Sequence, residues 1–227
     1  MHIFFDLDGT LTDSSPGILR CINHALMELG HGPVTDGRLR GMIGAPLTRI
    51  FSDVLGGEDE VLLDRAVAAY RIRFNEVGIF ENALYPGVAE VLESLCRTGH
   101  TLQIVTAKPA VAARRVAVHF GIVSFFRALH GPDLSARDCD KATLVGAALR
   151  VAGGDPRVAV MVGDRAVDVV AARVHGVRAI AAGWGYGTRD ELERAGPDYV
   201  ADTVFDLIRG LDAVTEPAAP VQDGIDL

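Results

Sequence analysis

The chain reads as an α/β protein, a doubly wound parallel sheet with a small all-helical domain inserted after strand one. Three observations predict this. Short apolar runs alternate with segments of helical period, the pattern of strands buried on both faces and joined by crossover helices. From Pro16 to about Phe80 the period is helical and no strand-like run occurs. Two apolar runs end in acids, residues 3–5 at Asp6 and residues 158–162 at Gly163-Asp164. Open α/β sheets bind their ligands at such strand ends.

Strand one spans residues 3–7. In the insertion, Ile18, Ile22, Ala25, Leu26 and Leu29 recur at helix spacing, and Gly30 is a stop. Gly41-Met42-Ile43-Gly44-Ala45-Pro46 reads as a loop, with Pro46 set to begin another helix. Leu62, Ala66, Ala69, Tyr70 and Phe74 repeat the helical spacing. After Pro86-Gly87 the rhythm changes. Val88, Val91, Leu92 and Leu95 make an amphipathic helix, followed by a strand over 101–106 and a helix over 110–120. A weaker strand over 126–130, a helix over 143–152, a strand over 158–162, a helix over 167–175 and a strand over 177–181 complete the alternation. Tyr199-Val200 is a last short strand. The expected domains are a core of residues 1–14 and 86–212, a helical insertion of 15–85, and a disordered tail of 213–227 rich in proline and acids.

The 227 residues are 49% hydrophobic and 23% charged, with a net charge of −8. That balance argues against a nucleic-acid surface. No run approaches the ~18 apolar residues of a membrane span. Asp6 and Asp8 interrupt the N-terminal apolar run, so no signal peptide is expected. Cys21, Cys96 and Cys139 form no CxxC pair and read as reduced thiols of a cytoplasmic protein.

Asp6 and Asp8 are two apart, so on a regular strand they share a face. Gly9 lets the backbone turn sharply behind them. Two adjacent carboxylates repel unless a cation lies between them or a proton is shared. The pair therefore suits Mg²⁺ chemistry with a carboxylate nucleophile. Thr106 ends a strand, where a hydroxyl and free N–H groups can hold phosphate oxygens or cap the next helix. Lys108 and Lys141 are the only lysines in the chain. A lysine at a helix N-terminus, as at Lys141, opposes the helix dipole, so a surface role there has a cost. Asp164 and Asp168 bring two more carboxylates to the sheet edge.

Phe5-Asp6-Leu7-Asp8-Gly9-Thr10-Leu11, Thr106-Ala107-Lys108-Pro109, Lys141-Ala142 and Gly163-Asp164-Arg165-Ala166-Val167-Asp168 occur in this order. Together they resemble the motifs of the haloacid dehalogenase (HAD) superfamily, in its phosphoglycolate phosphatase and 5′-nucleotidase-like branch. The resemblance runs from about residue 3 to 210. It implies a Rossmann-like core with a helical cap and a Mg²⁺-dependent phosphomonoesterase acting on a small phosphorylated metabolite. Asp6 would be the nucleophile that forms an aspartyl phosphate, and Asp8 the acid and then the base. Thr106 and Lys141 would complete the catalytic set.

The implied metal ligands are Asp6, the backbone carbonyl of Asp8, and Asp164. Asp168 would hold a metal-bound water or orient Lys141. Gly9, Thr10, Ala107 and Lys108 are the substrate-binding candidates of the core. Gly44, Arg49 and Arg71 are those of the cap, and Arg73 is a further candidate for reaching a substrate anion. Two positions depart from the family's usual pattern: Ala142 where proline usually follows the lysine, and Arg165 where Ser or Thr is frequent. Both match the nucleotidase-like form. Trp184-Gly185-Tyr186-Gly187 also matches, as a turn beside the site. In the family the phosphatases and mutases carry the second aspartate and the dehalogenases do not, so the resemblance argues against dehalogenation. A phosphosugar mutase and a non-catalytic phospho-acceptor module are the alternatives. The expected partner is a small phosphomonoester, with no nucleic-acid polymer and no membrane, for a monomer or homodimer.

Overall fold

A computed structural model of the protein describes residues 1–57, 59–134, 136 and 140–215. Its centre is a six-stranded sheet made of β1 (His2–Phe5), β4 (Thr101–Val105), β5 (Phe126–His130), β6 (Ala159–Gly163), β7 (Arg178–Ala182) and β8 (Tyr199–Ala201). The order is β5-β4-β1-β6-β7-β8, and every pairing is parallel. β1 lies between β4 and β6, so the chain turns to opposite sides of β1 on its two passages. That is the switch point at which a crevice opens beyond the strand ends.

Successive side chains alternate between two apolar layers. Ile3, Phe5, Ile104, Val160 and Val162 enter one, and Phe4, Met161 and Ala179 enter the other. Both faces are covered, which explains why the strands read as continuous apolar runs. α7 (Lys141–Val151) and α8 (Ala166–Val174) cover one face through Val145, Ala148, Leu149, Val169 and Ala172. α5 (Val88–Arg97), α6 (Ala110–His119) and α10 (Asp206–Thr215) line the other. The polar Gln103 is wholly buried in β4. Its amide is satisfied by Ala148 O at 3.2 Å and His130 Nε2 at 2.8 Å, as burial of a polar group demands.

The segment after β1 is helical: α1 (Ser15–Glu28), α2 (Asp36–Arg40), α3 (Leu47–Leu55) and α4 (Glu60–Glu76). Pro16 is placed in the first turn of α1, where its missing N–H leaves no bond unmade. Asp59 caps α4 by accepting from Val61 N and Leu62 N. Phe51, Tyr70 and Phe74 form an aromatic ladder between α3 and α4, with 6.4 Å and 5.4 Å between successive ring centres.

Some elements differ from the reading of the sequence. Thr12–Asp13 (β2) and Ala83–Leu84 (β3) pair antiparallel where the chain leaves for the helical segment and returns from it. Two-residue strands are too short to show a period. α9 (Arg189–Ala195) was not expected, since Leu192 is its one buried residue. α10 was also missed, and it corrects the tail boundary. Residues 213–215 are helical, and Val214 docks beside Leu207 and Leu211. Their apolar spacing outweighs the acidic and proline-rich composition that follows. The expected disorder of 216–227 and the reading of Cys139 lie outside the described residues.

Candidate active site

Phe5 pairs with Ile104 on one side and Val162 on the other, so the ends of β1, β4 and β6 are level. Asp6, Thr106 and Asp164 thereby arrive together at the sheet's carboxyl edge. Asp6 N donates to Val162 O at 2.9 Å, which ties the end of β1 to β6 at that level. Asp168, on the first turn of α8, completes a cluster: one carboxylate oxygen each from Asp6, Asp164 and Asp168 lie within 4.8 Å of one another. All three are buried, Asp164 completely. The packing requires glycine nearby. Gly9 has φ +88°, and a Cβ there would strike the Asp164 carboxylate.

Lys141 is the counter-charge. Asp140 caps α7 through Ala142 N and Thr143 N, and the next residue sends its ammonium inward. Lys141 Nζ is 3.0 Å from Asp6 Oδ2 and 2.8 Å from Asp168 Oδ1. Burial alone would depress Lys141, but Asp168 and Asp6 overcome it and hold the ammonium above its ordinary value. Burial raises Asp6 to about 6, with Lys141 pulling down and Asp168 pushing up. Asp164 is lifted to about 8 by burial and then by Asp168 and Asp6, against hydrogen bonds from Tyr186 N and the Thr10 hydroxyl. Three buried carboxylates face one ammonium. Hard oxygen donors with an excess of negative charge fit a divalent cation such as Mg²⁺.

Asp8 is in different surroundings. Its Oδ2 is 2.7 Å from Lys108 Nζ, and its buried Oδ1 has no hydrogen-bond partner among the described residues. The Asp8 carboxylate is outside the three-acid cluster, so only its backbone carbonyl is left for the metal role assigned to it. Thr106 is 1% exposed, and its Oγ accepts from Lys108 N at 3.2 Å. It is not a helix cap, because α6 starts only at Ala110, after Pro109. Ala107 is exposed at the same turn.

Other candidates are placed differently from expectation. Thr10 is fully buried and gives its hydroxyl to Asp164 Oδ1 at 3.1 Å, so it supports a carboxylate. Gly44 lies against the Arg165 side chain. Arg49 is exposed and pairs with Asp53 one turn along its own helix at 3.3 Å. Arg71 NH2 donates to Leu134 O at 3.3 Å. Arg73 is held by Glu81 at 2.7 and 3.1 Å and by Cys21 Sγ at 3.1 Å. All three guanidiniums bond away from the Asp6, Asp164 and Asp168 cluster; only the Arg49 partner lies at helical spacing in the sequence.

Tyr186 was read only as part of a turn. Its N–H donates to Asp164 Oδ2 at 2.8 Å. Its hydroxyl accepts from Ser14 N at 2.9 Å and Ser15 N at 3.1 Å, and donates to Asp13 Oδ1 at 3.2 Å. One residue thus joins the carboxylate cluster to the start of α1. Nothing local in the sequence marks that role, since 172 positions separate Ser14 from Tyr186.

A family profile of haloacid dehalogenase-like hydrolases matches residues 3–182. A 5′-nucleotidase of Pseudomonas aeruginosa is 40% identical over 202 residues, covering 88% of this chain and 91% of that protein. The tyrosine-protein kinase PtkA of Mycobacterium tuberculosis is 34% identical over 212 residues, covering 92% of this chain and 72% of that protein. The crystal structure of a predicted phosphatase from Clostridium acetobutylicum superposes with a TM-score of 0.86 at 30% identity, covering 92% of this chain and 97% of the other. The parallel sheet, the acids at its switch point and a profile that takes in β1 through β7 agree, and the chain belongs to the haloacid dehalogenase-like hydrolases, as a phosphatase of that family.

Proposed function

We propose that this phosphatase is a Mg²⁺-dependent phosphomonoesterase that works through an aspartyl phosphate on Asp6. One observation carries the reading: the two aspartates of the first motif sit in different electrostatic settings. Asp6 faces Lys141 and the acid cluster, whereas Asp8 pairs with Lys108 and keeps one oxygen unpartnered among the described residues. A nucleophile and a proton-transfer group need such a division.

In the first step an Asp6 oxygen attacks phosphorus, the ester P–O bond breaks, and Asp8 delivers a proton to the departing oxygen. In the second step Asp8 takes a proton from water, which attacks the same phosphorus and returns Asp6 as carboxylate with release of phosphate. Lys141 and the Thr106 turn stabilise charge on the phosphoryl oxygens. Asp6, Asp164 and the Asp8 carbonyl would hold Mg²⁺, with Asp168 acting through water or through Lys141, and the bound ion supplies positive charge to the phosphoryl oxygens. The helical segment 15–85 serves as the cap that excludes water and selects the leaving group.

The substrate we favour is a nucleoside 5′-monophosphate. Support comes from the 40% identical 5′-nucleotidase and from the Gly-Asp-Arg-x-x-Asp form of the last motif. Phosphoglycolate is the next candidate. A second reading rests on the kinase-named relative. There the aspartyl phosphate would pass to a hydroxyl other than that of water.

Phosphate release from nucleoside monophosphates, phosphoglycolate, sugar phosphates and pyrophosphate, with Mg²⁺ and with EDTA, decides among these. Steady Mg²⁺-dependent release fastest from nucleoside monophosphates is the expected result. A different rank order replaces the substrate. No release from any compound moves the weight to phosphotransfer.

A further inference from the structure

Arg165 stands between two structures that it could join. Its backbone N–H donates to Asp168 Oδ2 at 3.1 Å, and Asp168 in turn holds Lys141. Its side chain leaves the core. Nε binds Glu191 Oε1 at 2.8 Å, and one terminal nitrogen donates to the backbone carbonyl of Ile43. Ile43 lies in the loop between α2 and α3, and Gly44 packs against the same guanidinium. Glu191 also accepts from Ala166 N at 3.0 Å, so the carboxylate that aims Arg165 is itself anchored to α8. Arg165 holds Glu191 as a carboxylate below its usual range, despite the opposing effect of burial.

The arrangement is built to fix an orientation. A guanidinium offers donors in a rigid fork, so one edge can be held while another donates elsewhere. Glu191 holds the Nε edge, and the other edge meets a main-chain carbonyl, which substitutions at residue 43 would leave in place. Residues 41–44 thus hang from the residue that follows Asp164. Lysine gathers its three donors on one nitrogen and lacks the planar fork that holds one edge while another donates elsewhere.

We propose that Arg165, aimed by Glu191, is a positioning residue that seats the 41–44 loop over the crevice and thereby sets affinity for the leaving group of the substrate. The inference rests on the phosphatase reading above and on the helical segment acting as its cap. It assigns Arg165 no contact with the phosphoryl group. Loss of the fork should therefore weaken binding of esters whose leaving group extends toward the loop, while the phosphoryl-transfer residues stay in place.

The test is steady-state kinetics of the full chain and of Arg165→Ala, Arg165→Lys and Glu191→Gln, on a nucleoside 5′-monophosphate and on phosphoglycolate. Loss of a hydrogen bond from a charged group predicts a KM for the nucleotide raised about tenfold in both Arg165 variants. kcat should change by less than about threefold, and the rise in KM for the smaller ester should be clearly less. Glu191→Gln, which keeps an acceptor and loses the charge, should raise KM for the nucleotide by about threefold, and it decides the matter if Arg165→Ala does not fold. An equal fall in kcat for both esters at unchanged KM, or full rescue by lysine, would overturn the proposal. Either result would make Arg165 a support for Asp164 and Asp168 alone. Wild-type chain that turns over neither ester refutes the phosphatase reading instead, which separates the two failures.

Discussion

Lys108 and Asp8 form an ion pair at 2.7 Å, and the same ammonium lies 4.9 Å from the centre of the Phe74 ring on α4. The side chain of Lys108 is 6% exposed. One cation thus touches the proposed acid and base on the core and an aromatic face on the helical segment. Lys108→Met keeps the contact with Phe74 and deletes the charge. The account expects kcat to fall about 10-fold to 100-fold, the effect of losing a charge-assisted hydrogen bond, with the nucleotide as substrate. Unchanged kcat would show that Asp8 does not depend on this pair.

Lys141 is buried between Asp6 and Asp168. Lys141→Met leaves three buried acids without their ammonium. Removing one partner of a buried pair costs about 3–5 kcal/mol, so thermal melting should show a lower Tm along with loss of turnover. Asp168→Asn, which removes one of the three acids and retains the lysine, should cost less stability than Lys141→Met. The reverse order would contradict this assignment of charge.

Gly9 has no room for a side chain. Gly9→Ala combines φ +88° with a methyl pressed into the Asp164 carboxylate. The left-handed conformation alone costs about 1–2 kcal/mol with a Cβ, and the collision displaces an acid of the cluster. Turnover should fall by more than the loss in Tm would suggest, and the Mg²⁺ concentration for half-maximal activity should rise. Gly30→Ala, also at positive φ but in open space, is the control and should lower Tm alone.

Arg73 and Glu81 make an ion pair at 2.7 Å. The Arg73 hydrogen bonds hold the Glu81 carboxyl below its ordinary value of 4.5, against the effect of burial, with Arg20 assisting. A carboxyl with a depressed folded-state pKa stabilises the fold above its unfolded value, and that contribution disappears as pH falls through the folded one. Glu81→Gln should cost about 1 kcal/mol at pH 7, the worth of a charged hydrogen bond in a partly exposed pair. The two proteins should converge in Tm as pH falls below the ordinary carboxyl value and through the lowered one, and KM for the substrate should not move. A raised KM would restore Arg73 as a substrate ligand.

The parallel strands were legible because both faces of the sheet are buried, so β1, β4, β6 and β7 are mostly apolar. α5 was legible because Val88, Val91, Leu92 and Leu95 form one stripe, and all four are buried. The acids Asp6 and Asp164 were placed together by the rule that ligands gather at strand ends. What periodicity cannot carry is pairing across the chain. Lys108 and Asp8 are 100 residues apart, and Arg165 and Ile43 are 122 apart. Arg49 and Arg71 looked equivalent in sequence to any solvated arginine on a helix; Asp53 stands at i,i+4 from Arg49, whereas the partner of Arg71, the Leu134 carbonyl, emerged only with the coordinates. α9 buries one leucine, too little to register as a stripe.

The central claim is that Asp6 carries the phosphoryl group. The most direct measurement is mass spectrometry of the Asp8→Asn variant, acid-quenched after mixing with a nucleoside 5′-monophosphate and Mg²⁺. Without Asp8 to activate water, the aspartyl phosphate should accumulate. The account predicts a single phosphoryl adduct on the peptide containing Asp6, absent from the Asp6→Asn/Asp8→Asn double variant and absent with EDTA. Phosphate on another residue, or no adduct on Asp6 in wild-type chain quenched during steady turnover and in the Asp8→Asn variant alike, would contradict it.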